Sequence, residues 1–118
     1  MTDQNTNPRS VLSHHSLVAY QVAVEFLVAV KAANIRDAKL RDEAMRSAKS
    51  VCLNTAEGAG RVTRADKARA FAIARGEAIE AVAAVEIAGV VGDVDEEAVR
   101  RCVGLAQRVV GLLTRLVR

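Results

Sequence analysis

The sequence predicts an all-α fold, an antiparallel up-and-down four-helix bundle, and three observations carry that expectation. The only proline, Pro8, lies near the N-terminus, most of the seven glycines fall near the ends of periodic apolar stretches, and no alternating apolar and polar run suggests a sheet. At 118 residues the chain is of a size for one domain with one core. Hydrophobic residues make up 51% of it and aromatic residues only 3%. That core must therefore come from Ala, Val, Leu and Ile, whose small side chains let helices approach closely.

Residues 1–10 are polar and lack periodicity, which predicts a disordered lead-in to a bundle spanning 11–118. The first helix is expected from Val11 or Ser16 to Ala33. Its polar residues Gln21 and Glu25 occupy one narrow stripe, while Leu17, Val18, Tyr20, Val22, Val24, Phe26, Leu27, Val28 and Val30 fill the remaining surface. A helix this apolar requires burial on more than one side, and a lone four-helix bundle covers one face of each helix. The excess predicts a subunit interface.

Asn34 and Asp37 are candidate caps for a second helix ending near Asn54, with Leu40, Ala44, Ala48 and Val51 inward. Gly58 and Gly60 are expected to stop it. Thr63 and Asp66 resemble a capping box for a third helix from Arg64 to Ala88, with Phe71, Ala74, Ala78, Ala81 and Val85 inward. Gly89 and Gly92 should break that helix, and Asp93 with Glu96 should cap the fourth, which runs to the C-terminus. Val99, Cys102, Val103, Ala106, Val109, Val110, Leu113, Leu116 and Val117 form its apolar face, opposite Arg101, Arg108 and Arg115 at sevenfold spacing.

No apolar run reaches the roughly 20 residues of a membrane span, and the N-terminus lacks the pattern of a signal peptide, so a cytoplasmic location is expected. Cys52 and Cys102 read as buried thiols on separate helices. His14 and His15 are adjacent, point in different directions on a helix and have no partners at ligand spacing, so no metal site is expected. No cofactor and no small-molecule substrate are expected either.

The densest cluster of polar signals is Asn54, Glu57, Arg61, Asp66, Arg69, Arg75 and Glu80, around Gly58 and Gly60. A hydrogen-bonded joint between the second and third helices is one reading, since buried charges need partners. The others are a site for a partner or a phosphate, and a catalytic carboxylate pair, which would lack a nucleophile, metal ligands and a second acid. The run GAGR offers backbone donors ahead of a helix but lacks the ending of a P-loop.

Charge divides by region. From Asn34 to Arg75 there are ten basic and five acidic residues, from Gly76 to Glu97 seven acidic and none basic, and beyond that five arginines and no acid. Thirteen of the seventeen basic residues are Arg, suited to bidentate phosphate contacts and equally to salt bridges. Arg41, Arg46 and Lys49 on the second helix and Arg101, Arg108 and Arg115 on the fourth are the candidate nucleic-acid contacts. Tyr20, Phe26 and Phe71 are expected in the core, leaving no platform for stacking bases, so contact should be to phosphate. A solvated arginine stripe is the alternative.

Arg46, Ala48, Ser50, Asn54, Ala56, Glu57, Gly58, Gly60, Arg61, Asp66, Phe71, Ala74, Arg75, Gly76 and Glu80 together resemble the signature of the four helix bundle protein family. That family is also called the S23 ribosomal protein or 23S rRNA intervening-sequence protein family, and it is similar to the accessory variability determinants of diversity-generating retroelements. The likeness runs from about Leu17 to the C-terminus. Thr55 stands where an Ile is usual, and Glu77 where a Ser is usual, placing an extra charge beside Arg75. The resemblance implies a bundle protomer assembling into a ring-like homo-oligomer, commonly a pentamer, without catalytic activity. It also implies RNA or a nucleic-acid-bound protein as partner; a protein-interaction module that binds no nucleic acid is the alternative.

Overall fold

The computed structural model describes residues 12–118. The expected lead-in at 1–10 lies outside the described residues. Four helices follow one another: α1 (Val18–Ala32), α2 (Ala38–Gly60), α3 (Arg64–Val90) and α4 (Glu96–Val117). Each packs on its neighbours in a cycle, α1 on α2, α2 on α3, α3 on α4 and α4 on α1, so α1 and α3 stand on one diagonal of the bundle and α2 and α4 on the other. Short connections between long helices make successive helices antiparallel. Among the described residues no helix is long and apolar enough to cross a membrane.

The core is built as the apolar periodicity requires. Val22, Phe26 and Val30 from α1, Val51 from α2, Val85 from α3 and Val109 and Leu113 from α4 are essentially inaccessible, and alanines fill the space between them. All five positions expected inward on α3 are buried, as are Ala44, Ala48 and Val51 on α2; Leu40 is only half-buried. Cys52 and Cys102 are free, buried thiols, and burial raises the pKa of each. Tyr20 departs from the expectation: it is half-buried at the edge of the core, with its ring edge-on to His14 at 4.8 Å between centroids. His14 and His15 lie in a turn before α1, with centroids 4.3 Å apart. Among the described residues no cluster of His, Cys, Asp and Glu is placed to hold a metal ion.

Three boundaries differ from the sequence expectation. The first helix begins at Val18, later than either expected start. The second continues through Gly58 to Gly60, because Gly58 serves packing: a Cβ there would lie 2.6 Å from Cε1 of Phe71. The third passes Gly89 to Val90 for the same reason, since a Cβ on Gly89 would meet Cγ2 of Val99 at 2.7 Å. Glycine at these positions admits a neighbour and does not end the helix.

The caps divide similarly. Asp37 caps α2 by accepting from the Leu40 amide at 3.0 Å, and Thr63 caps α3 by accepting from the Asp66 amide at 3.1 Å. Asp95, not Asp93, caps α4, accepting from the Ala98 amide at 2.8 Å. Asp93 reaches across to the other end of the chain's first connection, where it accepts from the Arg36 and Asp37 amides at 2.7 and 2.8 Å and from Nε of Arg36 at 3.0 Å. The link follows Asn34, which sits at φ 54 and turns the chain into α2.

Candidate functional site

The polar residues singled out in the sequence separate into three places. Asn54, Glu57, Arg61, Asp66 and Arg69 line one cleft of about 290 Å³ at the α2–α3 turn, together with Ala70 and Ile73. Arg61 donates to Glu57 one turn earlier on α2, which places a cation against an acid at the negative end of the helix dipole. Asn54 donates from Nδ2 to the Ser50 carbonyl at 3.0 Å and to Ser50 Oγ at 2.9 Å. Lys67 donates from Nζ to the carbonyls of Gly58 and Ala59, satisfying the end of α2. The GAG run is therefore a capped helix end, and its amides point back into the helix instead of outward to an anion.

Arg75 is not part of that cleft. Its Nε donates to Thr114 Oγ1 on α4 at 2.8 Å, and Thr114 donates in turn to the Val110 carbonyl. Glu77, the extra charge next to Arg75 in the sequence, accepts from Ser50 Oγ at 3.2 Å. Thr55 occupies its buried position by donating to the Val51 carbonyl at 2.6 Å, so a hydroxyl replaces apolar volume without an unmet donor.

Glu80 belongs to a third cluster, midway along the α2–α3 groove. Arg46 donates to Glu43 at 2.5 Å and to Glu80 at 3.5 Å, and Ser47 Oγ donates to Glu43 at 3.2 Å. Hydrogen bonding with Glu43 and then with Glu77 raises the pKa of Glu80, whereas hydrogen bonding with Glu80 and Arg46 lowers that of Glu43. One Oε of Glu77 is buried with no hydrogen-bond partner. Two carboxylates thus share one guanidinium, with a third, Glu77, beside Glu80.

The six candidate phosphate contacts also differ in availability. Arg46 is committed to Glu43 and Glu80, and Arg41 donates from one nitrogen to the Ile35 and Arg36 carbonyls. Lys49, Arg101, Arg108 and Arg115 are exposed and make no hydrogen bond or ion pair among the described residues. The last three lie along the outer face of α4 as the sevenfold spacing requires.

Gly104 and Gly111 lie between them on the same face, a feature the sequence reading passed over. A Cβ on either would meet nothing within 4 Å, so the fold of the protomer does not require a glycine there. Each costs about 1 kcal/mol of helix propensity relative to alanine. The signal available in the sequence was the alternation itself, Arg101, Gly104, Arg108, Gly111 and Arg115, three and four residues apart on a helix. The face offers guanidinium groups with bare backbone between them, a surface on which a phosphate chain can lie close.

Fold and surface together define a small, arginine-rich helical-bundle protein with a fixed polar joint between its second and third helices. A model of the 23S rRNA-intervening sequence protein family matches residues 15–115, and the chain belongs to that family. No curated protein matches the chain.

Proposed function

We propose that the chain is a non-enzymatic homo-oligomeric scaffold, a pentameric ring in its assembled form, that binds RNA or a nucleoprotein partner through its arginine-rich surfaces. The observation that carries this reading is the α4 stripe of Arg101, Arg108 and Arg115, three guanidinium groups without internal partners among the described residues and with the exposed Gly104 and half-buried Gly111 between them. Lys49 adds a free cation on α2, while Arg41 and Arg46 contribute field more than free donors. Repetition of the stripe around a ring multiplies the local positive potential. The polar joint at Asn54, Glu57, Gly58, Gly60, Arg61, Asp66 and Arg69 is structural in this reading and sets the angle of the α2–α3 turn. Membership of the 23S rRNA-intervening sequence protein family supports looking for the partner among RNAs.

The test is titration of a labelled RNA with the full chain and with a variant carrying Arg101→Glu, Arg108→Glu and Arg115→Glu. The variant should keep its helical circular dichroism and lose at least about tenfold in affinity, each lost phosphate contact also reducing the salt dependence by nearly one unit. Unchanged affinity would remove α4 from the interface.

A protein-interaction module without nucleic-acid binding is the second reading. It draws on Leu53, 71% exposed in a shallow cleft beside Met45, Arg46 and Lys49. Binding to a protein partner that persists at high salt would favour it, since apolar docking is little screened.

A further inference from the structure

A helix in a globular bundle ordinarily has one apolar face and one polar face. Two helices here depart from that rule. On α3 the face turned away from the core carries Ala72, Gly76, Ile79, Ala83, Ile87 and Val90, with Ile79 45%, Ile87 52% and Val90 86% exposed. On α1 the outward face carries Val24 and Val28, four apart and 36% and 58% exposed, beside the exposed Gln21. Because α1 and α3 stand on one diagonal of the bundle, these faces look in opposite directions.

Gly76 lies in the N-terminal part of the α3 face. It lies mid-helix, is exposed, and a Cβ there would touch nothing within 4 Å. The protomer therefore does not explain the glycine. Unlike Gly104 and Gly111, it has Ala72, Ile73 and Ile79 as three of its four neighbours on the helix surface, so the object admitted close to its backbone is largely apolar too.

Charge supplies the orientation. Glu25 and Lys31 flank the α1 face on opposite sides, and neither makes an ion pair or hydrogen bond among the described residues. Arg75 and Glu80 flank the α3 face on opposite sides, Arg75 with its Nε on Thr114 and Glu80 beside Arg46. The α1 pair is six positions apart and the α3 pair five, in the order acid then base on α1 and base then acid on α3. In a parallel pairing one register sets Lys31 opposite Glu80 and Glu25 opposite Arg75, with Gly76 facing the gap between Val24 and Val28; an antiparallel pairing has no register that satisfies both. Parallel is also what cyclic symmetry about an axis along the bundle demands, because α1 and α3 run the same way in an up-and-down protomer.

We propose that the part of the outward face of α3 around Gly76 and Ile79 receives the outward face of α1 from a second copy of this chain, with Lys31 against Glu80 and Glu25 against Arg75. The inference deepens the homo-oligomer reading above and rests on it. The contact is heterologous, each copy offering one face and receiving the other, and the series closes into a ring where each copy is rotated about the common axis relative to the last. It also answers the deficit in the α2–α3 groove, where Glu43 and Glu80 share Arg46 with Glu77 close by, and no second cation pairs with them among the described residues: the Lys31 ammonium of the neighbour supplies the second positive charge.

Sedimentation velocity on the full-length chain tests this with two single variants and their mixture. Gly76→Leu adds bulk into space that is empty in the protomer, and Val28→Glu places a charge on an exposed position, so both should keep wild-type helicity by circular dichroism. Each alone should sediment as a monomer. Mixed, they should form a 1:1 dimer and nothing larger, since the intact α1 face of the first fits the intact α3 face of the second. A Lys31→Glu variant should associate about tenfold more weakly, and Lys31→Glu with Glu80→Lys should recover. Oligomeric wild type with a Gly76→Leu variant of the same size overturns the placement while leaving the homo-oligomer standing, and so do folded monomeric variants that fail to pair on mixing. A monomeric wild type overturns both.

Discussion

Gly58 and Gly76 look alike in the sequence, each inside a helix and each part of the family signature, yet their surroundings differ. Gly58 is buried with the Phe71 ring against its Cα, so any side chain must displace an aromatic ring in a closed core. Gly58→Ala should lower stability by about 1–3 kcal/mol, the overpacking cost exceeding the gain of about 1 kcal/mol in helix propensity. Urea denaturation would register this as a lower midpoint at unchanged slope. An equal or higher midpoint would mean that Phe71 moves aside freely. The glycine read as a helix stop is, on this argument, the contact that sets how closely α2 and α3 approach.

At the scale of elements, the connection between α1 and α2 is tied to the turn between α3 and α4 by Asp93 alone among side-chain hydrogen bonds of the described residues. Its amide bond from Asp37, and then its bonds from Arg36, hold the Asp93 carboxyl below the ordinary value of 3.8. A depressed folded pKa means that the unfolded chain takes up the proton first, so the contribution to stability is complete at neutral pH. It is lost as the pH falls through 3.8 toward the lower folded value. Asp93→Asn should therefore unfold at lower temperature than wild type near pH 7, with the difference shrinking below about pH 4. A difference that is constant with pH would show that the carboxylate charge contributes nothing there. The four helices and their buried faces were legible in the sequence because the apolar spacing near 3.6 is a local signal. The choice between Asp93 and Asp95 as cap was not, since both precede acidic residues and only the position of Arg36 and Asp37 in space decides which is free to cap. The polar joint divided for a related reason. Asn54, Glu57, Arg61, Asp66 and Arg69 converge on one turn, whereas Arg75 and Glu80 lie farther along α3, where rotation turns one toward α4 and the other toward Glu43 and Arg46.

For the molecule as a whole, the proposed ring contact and the proposed arginine surface make a joint demand. The net charge of a single chain is only +3, and each copy presents three free guanidinium groups on α4. An extended polyanion crossing several copies engages the second and later stripes at an effective concentration set by the ring, which raises affinity without any new kind of contact. The Gly76→Leu chain keeps every basic residue and should keep its fold, so it isolates this effect. Against an RNA long enough to span neighbouring copies it should bind at least about tenfold more weakly than wild type, with a shallower dependence of log affinity on log salt. Against an oligonucleotide short enough to meet one stripe only, the two proteins should bind alike per chain. Equal affinity of a monomeric Gly76→Leu chain for the long RNA would mean that each protomer binds alone, and the ring would then have to serve something other than polyanion capture.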